Sequence, residues 1–124
     1  MNHNAKNVLG TDLKVCCTNP MTGFFRNGSC DTDDRDYGSH TVCARMTNAF
    51  LIFSKGMGND LITPNPMYGF PGLKEGDQWC LCALRWLEAF HVGAAPLVDL
   101  EATHEKALDV IPIEYLQKRA LKKT

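Results

Sequence analysis

The sequence predicts a compact α+β domain with two main amphipathic helices, a shorter C-terminal helix, short strands and a long Pro/Gly-rich loop. Three observations carry that expectation. Two stretches repeat apolar residues at helical spacing, residues 96–101 alternate apolar with polar side chains, and residues 7–38 break short apolar pieces with turn residues. At 124 residues, with 44% apolar and 22% charged side chains, the chain is sized for one hydrophobic core. A single domain over residues 1–124 is therefore expected, with its ordered core at about 7–121.

Between Asn7 and Gly38, the pairs Asn19-Pro20, Thr22-Gly23, Asn27-Gly28 and Tyr37-Gly38 punctuate apolar fragments such as Phe24-Phe25, so short strands or extended loops fit best. Asn27-Gly28 suits a tight hairpin turn. Ser39 is expected to cap a first helix running to about Lys55, with Val42, Met46, Ala49, Phe50 and Phe53 as its apolar stripe and Gly56 as its stop. Residues 58–76 carry Pro64, Pro66 and Pro71 among several glycines, and Met67, Tyr68, Phe70 and Leu73 give this loop apolar groups with which to cover the body. Asp77 is expected to cap a second helix to about Val92, with Trp79, Cys82, Ala83, Trp86 and Phe90 on one face. Pro96 to Glu101 should form a half-buried strand, Thr103 should cap a helical turn from His104, and a last helix should span about Ile113 to Leu121.

Thirteen basic and fourteen acidic side chains leave a net charge of -1, which argues against nucleic acid or an anionic membrane as a partner. The basic group Lys118, Arg119, Lys122 and Lys123 falls where a helix C-terminus favours positive charge and is read in that way. Met1 to Gly10 is polar, without a signal-peptide core, and no segment reaches the ~20 apolar residues of a membrane span, so a cytoplasmic location is expected. In that compartment the six cysteines should all be reduced, leaving core packing, metal ligation and thiol chemistry to explain them.

Cys80 would fall in the dipole-favoured first turn of the second helix and so is a candidate reactive thiol, with packing as the competing account. Cys82, on the face with Trp79 and Trp86, should be inert. His40 and Cys43, three apart at the start of a helix, would be surface neighbours able to activate a thiol, although ordinary packing produces the same spacing. Cys80 and Cys82 lie roughly 200° apart around a helix and cannot share an ion there. No zinc-ribbon spacing is present, and no metal is assigned. Cys16, Cys17, Cys30, Cys43 and His40 remain a weaker set that could converge on one. His91 and His104 are weaker candidates still, as residues of helix ends. Asp31, Asp33, Asp34 and Asp36 fail the calcium-loop pattern because Arg35 and Asp36 occupy its fifth and sixth positions. Gly56-Met57-Gly58-Asn59 lacks the strand and lysine of a phosphate loop, and no serine hydrolase elbow is found.

His40-Thr41-Val42-Cys43, Gly58-Asn59-Asp60-Leu61, Phe70-Pro71-Gly72-Leu73, Trp79-Cys80-Leu81-Cys82 with Arg85-Trp86, and Ala102-Thr103-His104-Glu105 occur in that order. Taken together they resemble the uncharacterised domain-of-unknown-function family 2237, over about Asn7 to Leu121. The resemblance implies a small, bacterial-type single-domain protein and assigns no activity, cofactor or catalytic residue.

The functional expectation is a small-ligand or thiol-dependent pocket where the two helix starts meet the proline-rich loop, lined by His40, Cys43, Asp60 and Cys80. Whether it is enzymatic is left open. The rival readings are an interaction module presenting Met67, Tyr68, Phe70 and Leu73, and a structural Cys/His metal site.

Overall fold

The computed structural model describes residues 5–121, so Lys122 and Lys123 of the basic group and the first four residues of the polar N-terminus lie outside the described residues. The elements run β1 (His40–Arg45), α1 (Asn48–Gly56), β2 (Gln78–Cys82), α2 (Ala83–His91), β3 (Leu97–Val98) and α3 (Ile113–Lys118), with short 3-10 turns at Pro66–Tyr68, Leu100–Ala102 and Glu105–Asp109. The expected α+β class holds: three helices accompany an antiparallel sheet of order β2-β1-β3.

Both main helices start later than the sequence predicts, because a strand precedes each one. Residues 41–44 and 79–81 are buried, on both faces of the sheet. A strand covered on both sides reads as an unbroken apolar run, and such a run merges with the stripe of the helix that follows it. Val42 and Ala44 of β1, with Trp79 and Leu81 of β2, join the main core. Thr41, Cys43 and Cys80 occupy the alternate positions. The register places Val42 opposite Leu81, Cys43 opposite Cys80 and Ala44 opposite Trp79, with a bulge between His40 and Val42.

The helix caps move accordingly. Thr47, not Ser39, caps α1, its Oγ1 accepting the Phe50 N–H at 3.1 Å. Ser39 takes a positive φ in the turn before β1, and its carbonyl accepts the Ala83 N–H of α2 at 3.0 Å. Asp77 does not cap α2. Its Oδ2 accepts the Lys74 N–H at 3.0 Å, closing the turn into β2. Cys82 holds the N-cap position of α2 without a side-chain bond, and His104 rather than Thr103 caps the turn from Glu105. The expected strand shortens to two residues, since Leu100–Ala102 turn into a 3-10 helix. Asn27-Gly28 closes no strand hairpin. Gly28, at φ 89°, instead accepts the Cys16 and Cys17 amides on its carbonyl.

The main core gathers Phe50 and Leu51 of α1, Trp86 and Ala89 of α2 and Leu116 of α3 on one face of the sheet. Trp86 donates its indole N–H to the Pro96 carbonyl at 3.2 Å. Phe90 stacks on Trp86 and on Tyr115, at 5.3 and 4.4 Å between ring centroids, which ties α2 to α3. The opposite face carries a smaller cluster of Cys16, Cys30, Cys43, Cys80 and Ala102.

Buried hydroxyls join the two faces. Thr103 Oγ1 accepts the Cys43 N–H at 3.1 Å and donates to the Asp99 carbonyl at 2.9 Å, with no exposed surface. Thr103→Val keeps the shape but leaves both backbone groups without this partner, so a loss of about 1–3 kcal/mol in unfolding free energy is expected in urea denaturation. A loss indistinguishable from that of an exposed control such as Thr18→Val would refute this account of the hydroxyl.

Candidate functional site

β2 is an edge strand, and an open edge must be covered. Two segments do so. Thr22 reaches in from the N-terminal turn to accept the Cys80 N–H on Oγ1 at 2.8 Å, and the long loop folds back on itself through paired Asn65–Phe70 bonds and a Leu73 N–H to Leu61 carbonyl bond of 2.8 Å. Between the turn and the loop lies a cavity of about 350 Å³ lined by Phe24, Arg26, His40, Asp60, Tyr68 and Trp79, among others. That volume is at the small end of ligand pockets. Gly23 is required at its wall, because its φ is +102° and a Cβ there would collide with the Ser29 carbonyl.

Aromatic groups form much of the wall. Phe70 meets Trp79 edge to face at 5.2 Å, and the Arg26 guanidinium sits over the Trp79 ring at 5.0 Å. Arg26 is exposed and takes a positive φ of 53°, a conformation rare outside glycine. Its side chain makes one hydrogen bond among the described residues, a long one of 3.5 Å to the Met21 carbonyl.

His40 supplies an imidazole. Its Nδ1 lies 2.7 Å from Asp36 Oδ1, while Asp36 Oδ2 accepts the His40 backbone N–H and the Thr32 hydroxyl, each at 2.9 Å. The Asp36 side chain is 1% exposed and that of His40 43% exposed, so the carboxylate is fixed inside while the ring reaches outward. An ionised carboxylate only accepts, so Nδ1 carries the proton and a neutral ring presents Nε2 as a bare acceptor. Gly38 makes room for this ring, since a Cβ there would come within 2.7 Å of His40 Cε1.

Of the four lining candidates, His40, Asp60 and Cys80 line this cavity and Cys43 does not. The cavity sits at a strand edge instead of between helix starts, because β1 and β2 occupy the expected first turns. The expected His40–Cys43 pairing does not form, because the His40 ring is held by Asp36 and the Cys43 sulfur is bonded to Cys16. Cys43 is bonded to Cys16 and Cys80 to Cys30, which corrects the expectation of six reduced thiols. Cys80 is therefore a buried half-cystine and not a helix-activated thiol. Cys82, expected to be inert in the core, is a half-buried free cysteine, as is Cys17. Asp60 spends Oδ1 on the Ile62 and Thr63 amides, and hydrogen bonding from Thr63 holds its carboxyl below the ordinary range.

The remaining candidates take structural places. Of the acidic run, Asp33 pairs with Arg35 at the surface and Asp36 orients His40, a role the Asp-x-x-x-His spacing could have signalled. His91 is exposed beside Phe90 and Tyr115. Met67 and Tyr68 are 85% and 73% exposed, whereas Leu73 is buried and Phe70 half-buried, so the four do not form one apolar patch. Of the weaker metal set, Cys16, Cys30 and Cys43 converge with Cys80, and neither Cys17 nor His40 is in the sulfur group that forms there.

Two predictions follow from these placements. Alkylation of the oxidised protein, unfolded without reductant, should add two labels, at Cys17 and Cys82; six labels would exclude the bridges. The second concerns His104, which is 7% exposed and accepts the Lys106 N–H on Nδ1 at 3.0 Å. Burial holds its imidazole below the ordinary range, outweighing the opposite pull of Asp31. The unfolded chain then takes up a proton more readily than the folded one. Its contribution to stability is complete above the unfolded value of ~6.5 and is lost as pH falls from there through the lower folded value. His104→Asn keeps a capping acceptor that does not titrate, so its stability should fall less than that of the parent between pH 7 and 5. Parallel pH profiles would refute this role.

The chain matches a family model described as "Uncharacterized protein conserved in bacteria (DUF2237)" over residues 6–120. No curated protein matches it. The expected ordered motifs at His40, Gly58, Phe70, Trp79 and Ala102 all fall inside the matched span, which covers nearly the whole chain, and the protein belongs to the DUF2237 family.

Proposed function

We propose that the cavity on the outer edge of β2 binds a small planar organic anion, with Arg26 as its charge partner and His40 as its hydrogen-bond partner or base. The observation that carries this reading is the buried Asp36 carboxylate, 2.7 Å from His40 Nδ1. Burying a carboxylate to fix one ring nitrogen is costly unless it is well bonded, and its effect here is to aim the other nitrogen in a chosen direction. The aromatic wall suits a flat ligand, and a guanidinium stacked on Trp79 keeps its N–H fork available to a carboxylate. Asp60 shapes the loop and adds a fixed negative charge at the exposed rim, favouring ligands that carry a donor on that side.

No helix among the described residues is long and apolar enough to cross a membrane. The balanced charge supports a protein that acts on a small molecule and not on nucleic acid, and a cytoplasmic location is proposed with it. An interaction module is the less favoured alternative, because only Met67 and Tyr68 of its proposed patch are well exposed.

Benzoate and its neutral isostere benzamide provide the test. For so small a probe the affinity should be on the order of 1 mM. In NMR titrations benzoate should shift the Trp79 indole and His40 ring resonances, while benzamide should bind about ten-fold more weakly, as expected for loss of a charge-assisted contact. Arg26→Met should erase the difference between the two probes, and His40→Gln should weaken benzoate without unfolding the protein. Shifts absent at both residues, or a benzoate preference that survives Arg26→Met, would rule the reading out.

A further inference from the structure

On the opposite face of the sheet from the main core, four cysteines from separate segments meet in a buried cluster. Cys16 is 7% exposed, Cys80 1%, and Cys30 and Cys43 not at all. The sulfurs of Cys16, Cys30 and Cys80 lie within 4.8 Å of one another, and Cys43 is bonded to Cys16. Cys43 and Cys80, direct partners across the β1–β2 pair, belong to different bridges. Two independent disulfides would require closeness only within each pair. Here the pairs also press against each other, which is what a single four-sulfur centre requires.

We infer that the reduced protein holds one Zn²⁺ ion on Cys16, Cys30, Cys43 and Cys80, so that the cluster alternates between two disulfides and a zinc tetrathiolate. A tetrahedral site with Zn–S bonds of about 2.3 Å has sulfur–sulfur edges of about 3.8 Å, so the observed spacing needs only small side-chain shifts. Four soft thiolates in this arrangement select zinc over calcium or magnesium. Gln78 already donates through Nε2 to Cys43 Sγ at 3.4 Å and to the Cys16 carbonyl at 2.8 Å, which supplies an outer-shell donor to the charged sulfurs. In the cytoplasmic setting proposed above, both bridges would face reduction.

The chemistry balances as two steps. Each disulfide takes two electrons and two protons from one molecule of a dithiol reductant, which closes to its own disulfide, and four thiols result. Zn²⁺ then forms four Zn–S bonds as four protons leave, giving a centre of net charge −2. Oxidation reverses this: a disulfide oxidant accepts the electrons, the bridges re-form and the ion is released. The inference uses a different set of side chains from the ligand pocket, with only Cys80 shared, and stands whether or not that pocket binds an anion.

The full-length Cys17→Ser, Cys82→Ser double variant retains only the four cluster cysteines, so any tetrathiolate it forms must lie there. After reduction, added Co²⁺ should bind with a one-to-one end point and the intense sulfur-to-metal charge-transfer bands of four thiolates, and Zn²⁺ should displace it. Elemental analysis after desalting should find one zinc per reduced chain and at least about ten-fold less per oxidised chain, because the ligands must be thiolates. Weak bands of oxygen-ligated cobalt, metal retained equally by the oxidised chain, or a reduced chain that stays unfolded with and without metal would each overturn the proposal. Gln78→Ala gives a second reading: it should weaken zinc retention about ten-fold while leaving the one-to-one end point unchanged.

Discussion

The antiparallel pairing of β1 with β2 is the constraint around which the rest of the domain is arranged. It is short, yet it is buried on both faces, so each successive residue of these strands is committed to one of two interiors. Val42, Ala44, Trp79 and Leu81 define the side on which the helices pack. Cys43 and Cys80 define the other, which the N-terminal segment closes by bringing Cys16 and Cys30 down onto the sheet. A one-residue slip would exchange the two sets and place the cysteines among the helices, so the division between apolar core and sulfur cluster is a consequence of register.

Because β2 lies at the edge of this sheet, its outer side must be satisfied by something other than a strand. Thr22 fills that need at the Cys80 amide, and the proline-rich loop encloses the space beside it. The cavity is thus a by-product of covering an edge with irregular chain, and its lining is drawn from four segments separated in sequence. The two non-glycine residues with positive φ among the described residues, Arg26 and Ser39, both stand at this junction, one on the cavity wall and the other immediately before His40. Backbone held in a costly conformation at a cavity rim is a common property of binding sites.

The polar interior follows the same logic. Where irregular segments cross the sheet, their backbone groups need partners, and short side chains provide them. The Asn7 Nδ2 group donates to Thr11, Asp12 and Glu101, and its Oδ1 accepts the Leu9 and Thr11 amides, which pins the N-terminal turn to the 3-10 helix after β3. Thr22 and Thr103 serve the two cysteine amides of the central pair. Loops in so small a domain remain ordered because they are hydrogen-bonded into the sheet, as well as packed against it.

Much of the architecture was legible in the chain itself. Helical periodicity located the bodies of α1 and α2 through Phe50 and Trp86, the alternation near residue 98 marked β3, and the ordered motifs carried the family. What local sequence left ambiguous was residues 40–45 and 78–82, because a strand buried on both faces shows no alternation and its apolar run blends into the next helix. That single ambiguity displaced both N-caps and, with them, the reading of every cysteine. His40, Asp60 and Cys80 stood out as residue types suited to a site, but Asp36, Arg26 and Trp79 did not, since their importance comes from orientation and burial that spacing does not encode. Which sulfurs meet is decided in the same way: the pairing of Cys43 with Cys16, and of Cys80 with Cys30, depends on strand register and on where the N-terminal segment lands. The residue list belongs to the sequence, and the contacts among those residues are set only when distant segments close over the two faces of the sheet.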